Sequence, residues 1–153
     1  MRDSAAEGVV TPYQNELVEA IMALRDVHVG DAMVSAQGVV SLPQGAGLGE
    51  FLSRVRQYPY SRMPVMAASG QVAGVLHVQE VLAEMVPGQA PSPMDFVRPA
   101  VILSPTMTVA QAIFALQRNR VSMAVVHSPE GRFVGIVTLK DLVEEIVGEL
   151  EAW

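Results

Sequence analysis

Thr138 and Asp141, three residues apart, stand where an apolar run from Phe133 to Val137 gives way to a helical pattern. The first turn of a helix presents unpaired N–H groups and a positive dipole potential, which suits an anion. A hydroxyl beside those amides can contact a phosphate, and a carboxylate one turn on can chelate the two hydroxyls of a ribose. The same spacing also serves folding alone. Thr-x-x-Asp is close to a capping box, in which the two side chains satisfy each other's backbone donors. On local sequence alone, capping is the simpler account. His77 and Glu80 hold equivalent positions earlier in the chain, where His77 is either a phosphate donor or a half-buried structural histidine.

Other chemistries are poorly supplied. The chain has no cysteine, which removes disulfides, thiolate-bound zinc and a thiol nucleophile, and suits a reducing compartment. His28, His77 and His127 are scattered, with no His-x-x-x-His pair to hold a metal. Neither a nucleophile–base–orienter set nor a Walker-type glycine loop is present, so an enzyme is the least favoured class. Arg62 could neutralise phosphate charge, although a surface arginine beside a proline strand is the simpler reading. The nine methionines read as core filler, and Glu144, Glu145, Glu149 and Glu151 as a solvated helix face.

Ten basic against sixteen acidic residues give a net charge of −6, which argues against a nucleic-acid partner. The 153 residues suffice for one domain with a substantial core. No apolar run approaches the ~18 residues of a membrane helix. The first residues lack the apolar stretch of a secretory signal, so a soluble chain is expected.

The elements that must position Thr138 and Asp141 come from a duplication. Gly74-Val75-Leu76-His77-Val78-Gln79-Glu80 aligns with Gly135-Ile136-Val137-Thr138-Leu139-Lys140-Asp141 at an offset of 61 residues. The same offset, without a gap, pairs Met33 with Met94, Val40 with Val101, Leu42 with Leu103, Ser61 with Ser122, Val65 with Val126 and Gly70 with Gly131. After a lead-in, Thr11-Pro12 starts a helix carrying Leu17, Ile21 and Leu24 on one face. Each copy then reads strand, helix, strand, strand, helix. In the first copy these are Gly38–Leu42, Leu48–Gln57, Met63–Met66, Val72–Val78 and Val78–Met85. In the second they are Val101–Leu103, Thr108–Arg118, Met123–His127, Phe133–Thr138 and Leu139–Leu150. Pro87, Gly88, Pro91 and Pro93 form the linker. An α/β (α+β) fold of two half-domains about a pseudo-twofold axis follows, with paired clefts between them.

This duplicated unit resembles a tandem CBS-domain pair (a Bateman module). Tyr60-Ser61-Arg62-Met63-Pro64-Val65 resembles that family's Ser-Arg-x-Pro-Val strand, and Gly74 to Val78 its Gly-hydrophobic-Leu-His-Val. The run from Gly135 to Glu149 is similar to a hallmark of the CorC/HlyC/CNNM group of membrane-anchored magnesium and cobalt transport proteins. The likeness spans about Glu7 to Glu149. It implies residues 1–30 as lead-in and helix, 31–88 as CBS repeat 1 and 89–153 as CBS repeat 2. It also implies a cytosolic regulatory segment of a longer, membrane-anchored, hemolysin-like protein, with the transmembrane domain as a partner.

The resemblance further implies an adenine-nucleotide site, with ATP (or AMP or ADP) as ligand, Mg²⁺ carried by the phosphates, and no separate metal site. Thr138 and Asp141 would hold phosphate and ribose. Tyr60, Ser61, Met63 and Pro64 would form the adenine slot, with Val34 alongside. A homodimer through the CBS helices is implied as well. The chain departs from the family in having Met33-Val34-Ser35-Ala36 for Met-Thr-Pro-Arg, and His77-Val78-Gln79-Glu80 for His-Val-Lys-Asp. The mirror cleft of His77, Glu80, Val121, Ser122 and Met123 is therefore expected to be the weaker one, without ligand. A purely structural dimerisation module with degenerate clefts is the alternative.

Overall fold

The structure, a computed structural model, describes residues 11–14, 16 and 26–151. Leu17, Ile21 and Leu24 lie outside the described residues. The predicted helix start is present: Thr11 and Gln14 exchange backbone-to-side-chain hydrogen bonds, each 3.1 Å long, in a capping box.

Five helices and seven strands follow, beginning with the short helix α1 (Val29–Ala32) and strand β1 (Val34–Ser35). The first copy continues with β2 (Leu42–Pro43), α2 (Leu48–Gln57), β3 (Arg62–Met66), β4 (Val72–His77) and α3 (Val78–Ala83). The second holds β5 (Ile102–Leu103), α4 (Val109–Arg118), β6 (Met123–His127), β7 (Phe133–Thr138) and α5 (Leu139–Glu151). One sheet runs β1-β7-β6-β5 and the other β2-β3-β4.

The longer elements fall where the hydrophobic spacing puts them. Phe51 on α2 and Val109, Ala112 and Leu116 on α4 are buried at helical intervals. Thr108 caps α4 through a full capping box with Gln111. Two separate cores result. One gathers Leu42, Phe51, Met63, Val65 and Leu76, the other Leu103, Leu116, Val126, Val137 and Leu142. Val75 packs with Met123 and Val125 in a third cluster that joins the two halves.

The duplication is exact in register through the middle of each copy. Leu42 pairs with Val65 and Leu103 with Val126. The Ser61 carbonyl accepts from Val78 N–H at 2.9 Å, as the Ser122 carbonyl accepts from Leu139 N–H at 2.8 Å. Gly70 and Gly131 both turn with positive φ, 88° and 82°.

The leading segments break that register and change sides. β1 pairs antiparallel with β7 of the second copy (Val34 with Ile136), and Val29 and Gly30 donate to the carbonyls of Met107 and Pro105. In return Arg98 forms a bridge with Val75 on β4. A Cβ on Gly135 would meet the Val34 carbonyl and Met33 sulfur, while one on Gly74 would meet the Arg98 carbonyl and Val97 side chain. Arg98 is thus the counterpart of Val34, and Val97 that of Met33, an offset of 64 rather than 61. The ungapped pairing of Met33 with Met94 is corrected accordingly. The extra residues of the first copy lie by a 3-10 turn, Ala36–Gly38, where a strand from Gly38 had been expected. That strand is reduced to Leu42–Pro43.

Candidate nucleotide cleft

Crossing of the leading segments places the end of β7 beside the start of β3. The cleft between them has a volume of about 300 Å³, at the lower end of the ~300–1,000 Å³ of ligand sites. Tyr60, Ser61 and Arg62 come from the first copy, with Val34, Gly38, Val39 and Val40 from its leading segment. The second copy contributes Met123, Ile136, Thr138, Lys140 and Asp141. The lining is largely apolar and includes an exposed tyrosine ring, and its hydroxyl, carboxylate and lysine from the second copy are Thr138, Asp141 and Lys140. Tyr60 lies nearly parallel to Tyr58, at 7° with ring centroids 6.5 Å apart, so its ring is braced from outside the cleft.

Thr138 and Asp141 form the capping box that local sequence favoured. Asp141 N–H donates to Thr138 Oγ1 at 3.1 Å, and Thr138 N–H donates to Asp141 Oδ2 at 3.3 Å. Capping leaves chemistry to spare. The Thr138 hydroxyl retains its proton for donation, and Asp141 Oδ1 has no hydrogen-bond partner among the described residues.

Two residues expected in the slot do not line it. Met63 is only 1% exposed and packs in the first core, and Pro64 is buried in mid-strand. Strand alternation explains this for Met63: β3 turns Arg62 to the cleft and Met63 away from it. Their place is taken by Val39 and Val40, which sequence reasoning missed because the 3-10 turn beside them is too short to show periodicity, and by Ile136, which the pairing of β1 with β7 brings there.

The mirror cleft, also about 300 Å³, includes His77, Val121, Ser122 and Met123, as expected. It also includes Arg62, Asn119, Arg120 and Arg98. Glu80 is not on its walls, because it is turned to Arg98: Nε donates to Oε1 at 2.9 Å and Nη2 to Oε2. This pairing, chiefly its hydrogen bond, holds the Glu80 carboxyl below its ordinary pKa. Burial first, then Arg62, lowers the His77 pKa; Glu80 opposes them and Arg98 adds to the depression. His77 is the N-cap of α3 without a side-chain capping bond, unlike Thr138.

Two interlocked repeats with a cleft on either side of their junction have the architecture of a tandem-repeat module. Models of the CBS domain match residues 29–87 and 95–148, and the chain belongs to the CBS-domain family as a tandem pair. It is similar to the magnesium and cobalt efflux protein CorC of Escherichia coli, 28% identical over 99% of this chain and 52% of that protein. A putative DUF21 domain-containing chloroplastic protein of Arabidopsis thaliana is 30% identical over 98% of this chain and 23% of its own length. The chain thus spans a quarter to a half of the curated relatives it matches. Among solved structures, the CBS domain of a bacterial CNNM/CorC family Mg²⁺ transporter in complex with ATP superposes with a TM-score of 0.80 at 28% identity. That match covers 90% of this chain and 99% of the other.

Proposed function

We propose that the chain is a regulatory, non-catalytic CBS pair that binds one adenine nucleotide, Mg-ATP foremost, in the Thr138 cleft. The observation that carries this reading is the convergence of Tyr60 from one repeat with Thr138 and Asp141 from the other in one largely apolar cleft. The ring stacks on the base, Asp141 accepts from the ribose hydroxyls, and Thr138 with the first amides of α5 receives phosphate. Lys140 offsets phosphate charge, and Mg²⁺ arrives on the phosphates. The ATP complex of a relative 28% identical over 90% of the chain supports the choice of ligand.

In this reading the module belongs to a longer membrane-anchored protein that moves magnesium or cobalt, and it lies on the cytoplasmic side. Among the described residues, no helix is long and apolar enough to cross a membrane. Nucleotide regulates transport only insofar as it binds one arrangement of the module more tightly than another. The module pairs with a second copy through α4 and α5, whose Phe114, Val143 and Val147 side chains are exposed. The capping box favours a second reading, a structural dimerisation module, because Thr138 and Asp141 already have a folding role. Calorimetric titration with Mg-ATP separates the two. Saturable heat supports nucleotide sensing, and none at millimolar nucleotide leaves the structural module.

A further inference from the structure

The mirror cleft differs from the nucleotide cleft in chemistry, not in size. Arg98 stands where Val34 stands in the other half. At the 61-residue offset, Arg120 replaces Pro59 and Val121 replaces Tyr60. Guanidinium groups have taken the place of apolar residues, and the stacking ring is gone. With Arg62, three of the chain's ten basic residues line one cleft in a protein of net charge −6.

Like charges so gathered repel unless an anion lies among them. Of the three arginines, Glu80 pairs with Arg98. Among the described residues no carboxylate pairs with Arg62 or Arg120, and Arg62 Nε is buried without a hydrogen-bond partner. Arg120 holds φ of 55°, a left-handed backbone that glycine would adopt more easily. It follows the C-cap Asn119 of α4, where Arg120 N–H and Val121 N–H close the helix end on the Gln117 and Leu116 carbonyls, and this ending puts Arg120 on the cleft wall.

We propose that the mirror cleft binds a compact multivalent oxyanion without a nucleobase, held by Arg62, Arg98 and Arg120. Guanidinium forks match the paired oxygens of phosphate or carboxylate. The bidentate pair with Glu80 orients Arg98 beforehand and leaves its Nη1 for the ligand. A nucleoside finds neither a ring to stack on nor an uncommitted carboxylate for its ribose.

Inorganic pyrophosphate and citrate serve as probes, in NMR titrations that follow the His77 imidazole and the Thr138 amide. With at least one probe, His77 is expected to move saturably and its pKa to rise, because a bound anion favours the charged ring. Arg120→Gly, which suits the left-handed backbone, and Arg98→Gln should each weaken that response roughly tenfold. Asp141→Ala should leave it unchanged. Saturation by pyrophosphate alone assigns a phosphate ligand, and by citrate alone a carboxylate. The proposal is overturned if neither probe moves His77 at millimolar concentration, if Thr138 responds in its place, or if Mg-ATP moves His77 and the probes do not.

Discussion

His77 and Thr138 occupy the same position in the two repeats and meet opposite surroundings. Thr138 closes a capping box beside an apolar wall, whereas His77 is half-buried with Arg62 and Arg98 near it. Burial and these cations make protonation of His77 unfavourable in the folded chain. Its folded pKa is lowered, so the stability linked to its neutral form is complete above the ordinary imidazole value and is lost as pH falls through the depressed one. Glu80 is also lowered, through its bond to Arg98, so its contribution disappears only further down, below the ordinary carboxylate range. Thermal midpoints measured against pH should fall on acidification in two stages. His77→Gln should remove the upper stage and leave the lower.

At the scale of elements, the long helices and the paired strands were legible in the sequence. α2, β6 and β7 match the expected spans because apolar residues recur at helical or alternating spacing between clear turns. β1, β2 and the 3-10 turn were not legible: two- and three-residue pieces carry no period. The gapless 61-residue offset hid the three-residue shift of the leading segments for the same reason. Thr138, Asp141, Tyr60, Ser61 and Val34 line the cleft as the sequence suggested. Met63 does not, since a family motif says which residues recur and not which face of β3 they turn to, and Pro64 is buried further along the strand. Gly135 shows how close the crossing of β1 and β7 is, for its missing side chain admits the Val34 carbonyl. Gly135→Ala should cost about 1–3 kcal/mol by urea denaturation, since β1 must move away from β7. Nucleotide binding should weaken with it, because Val34 is part of the cleft wall. An unchanged denaturation midpoint would contradict this packing.

For the whole molecule, interlocking of the two repeats gives clefts that depend on both halves, so neither repeat alone carries the site. Exposed Phe114 on α4, with Val143 and Val147 four residues apart on α5, leaves an apolar surface suited to a second copy. Light scattering should report a dimer for the natural chain and a monomer for Phe114→Glu. A dimer that survives this change would place the contact elsewhere. The central claim is that symmetry of fold has become asymmetry of chemistry, with one nucleotide site per chain, at Thr138 and Asp141. Calorimetry with Mg-ATP on the natural chain and on Asp141→Ala tests it most directly. The account predicts one nucleotide per chain, with affinity reduced at least ~10-fold in the variant by loss of charged hydrogen bonds to the ribose. Two nucleotides per chain, or unchanged affinity in Asp141→Ala, would contradict it.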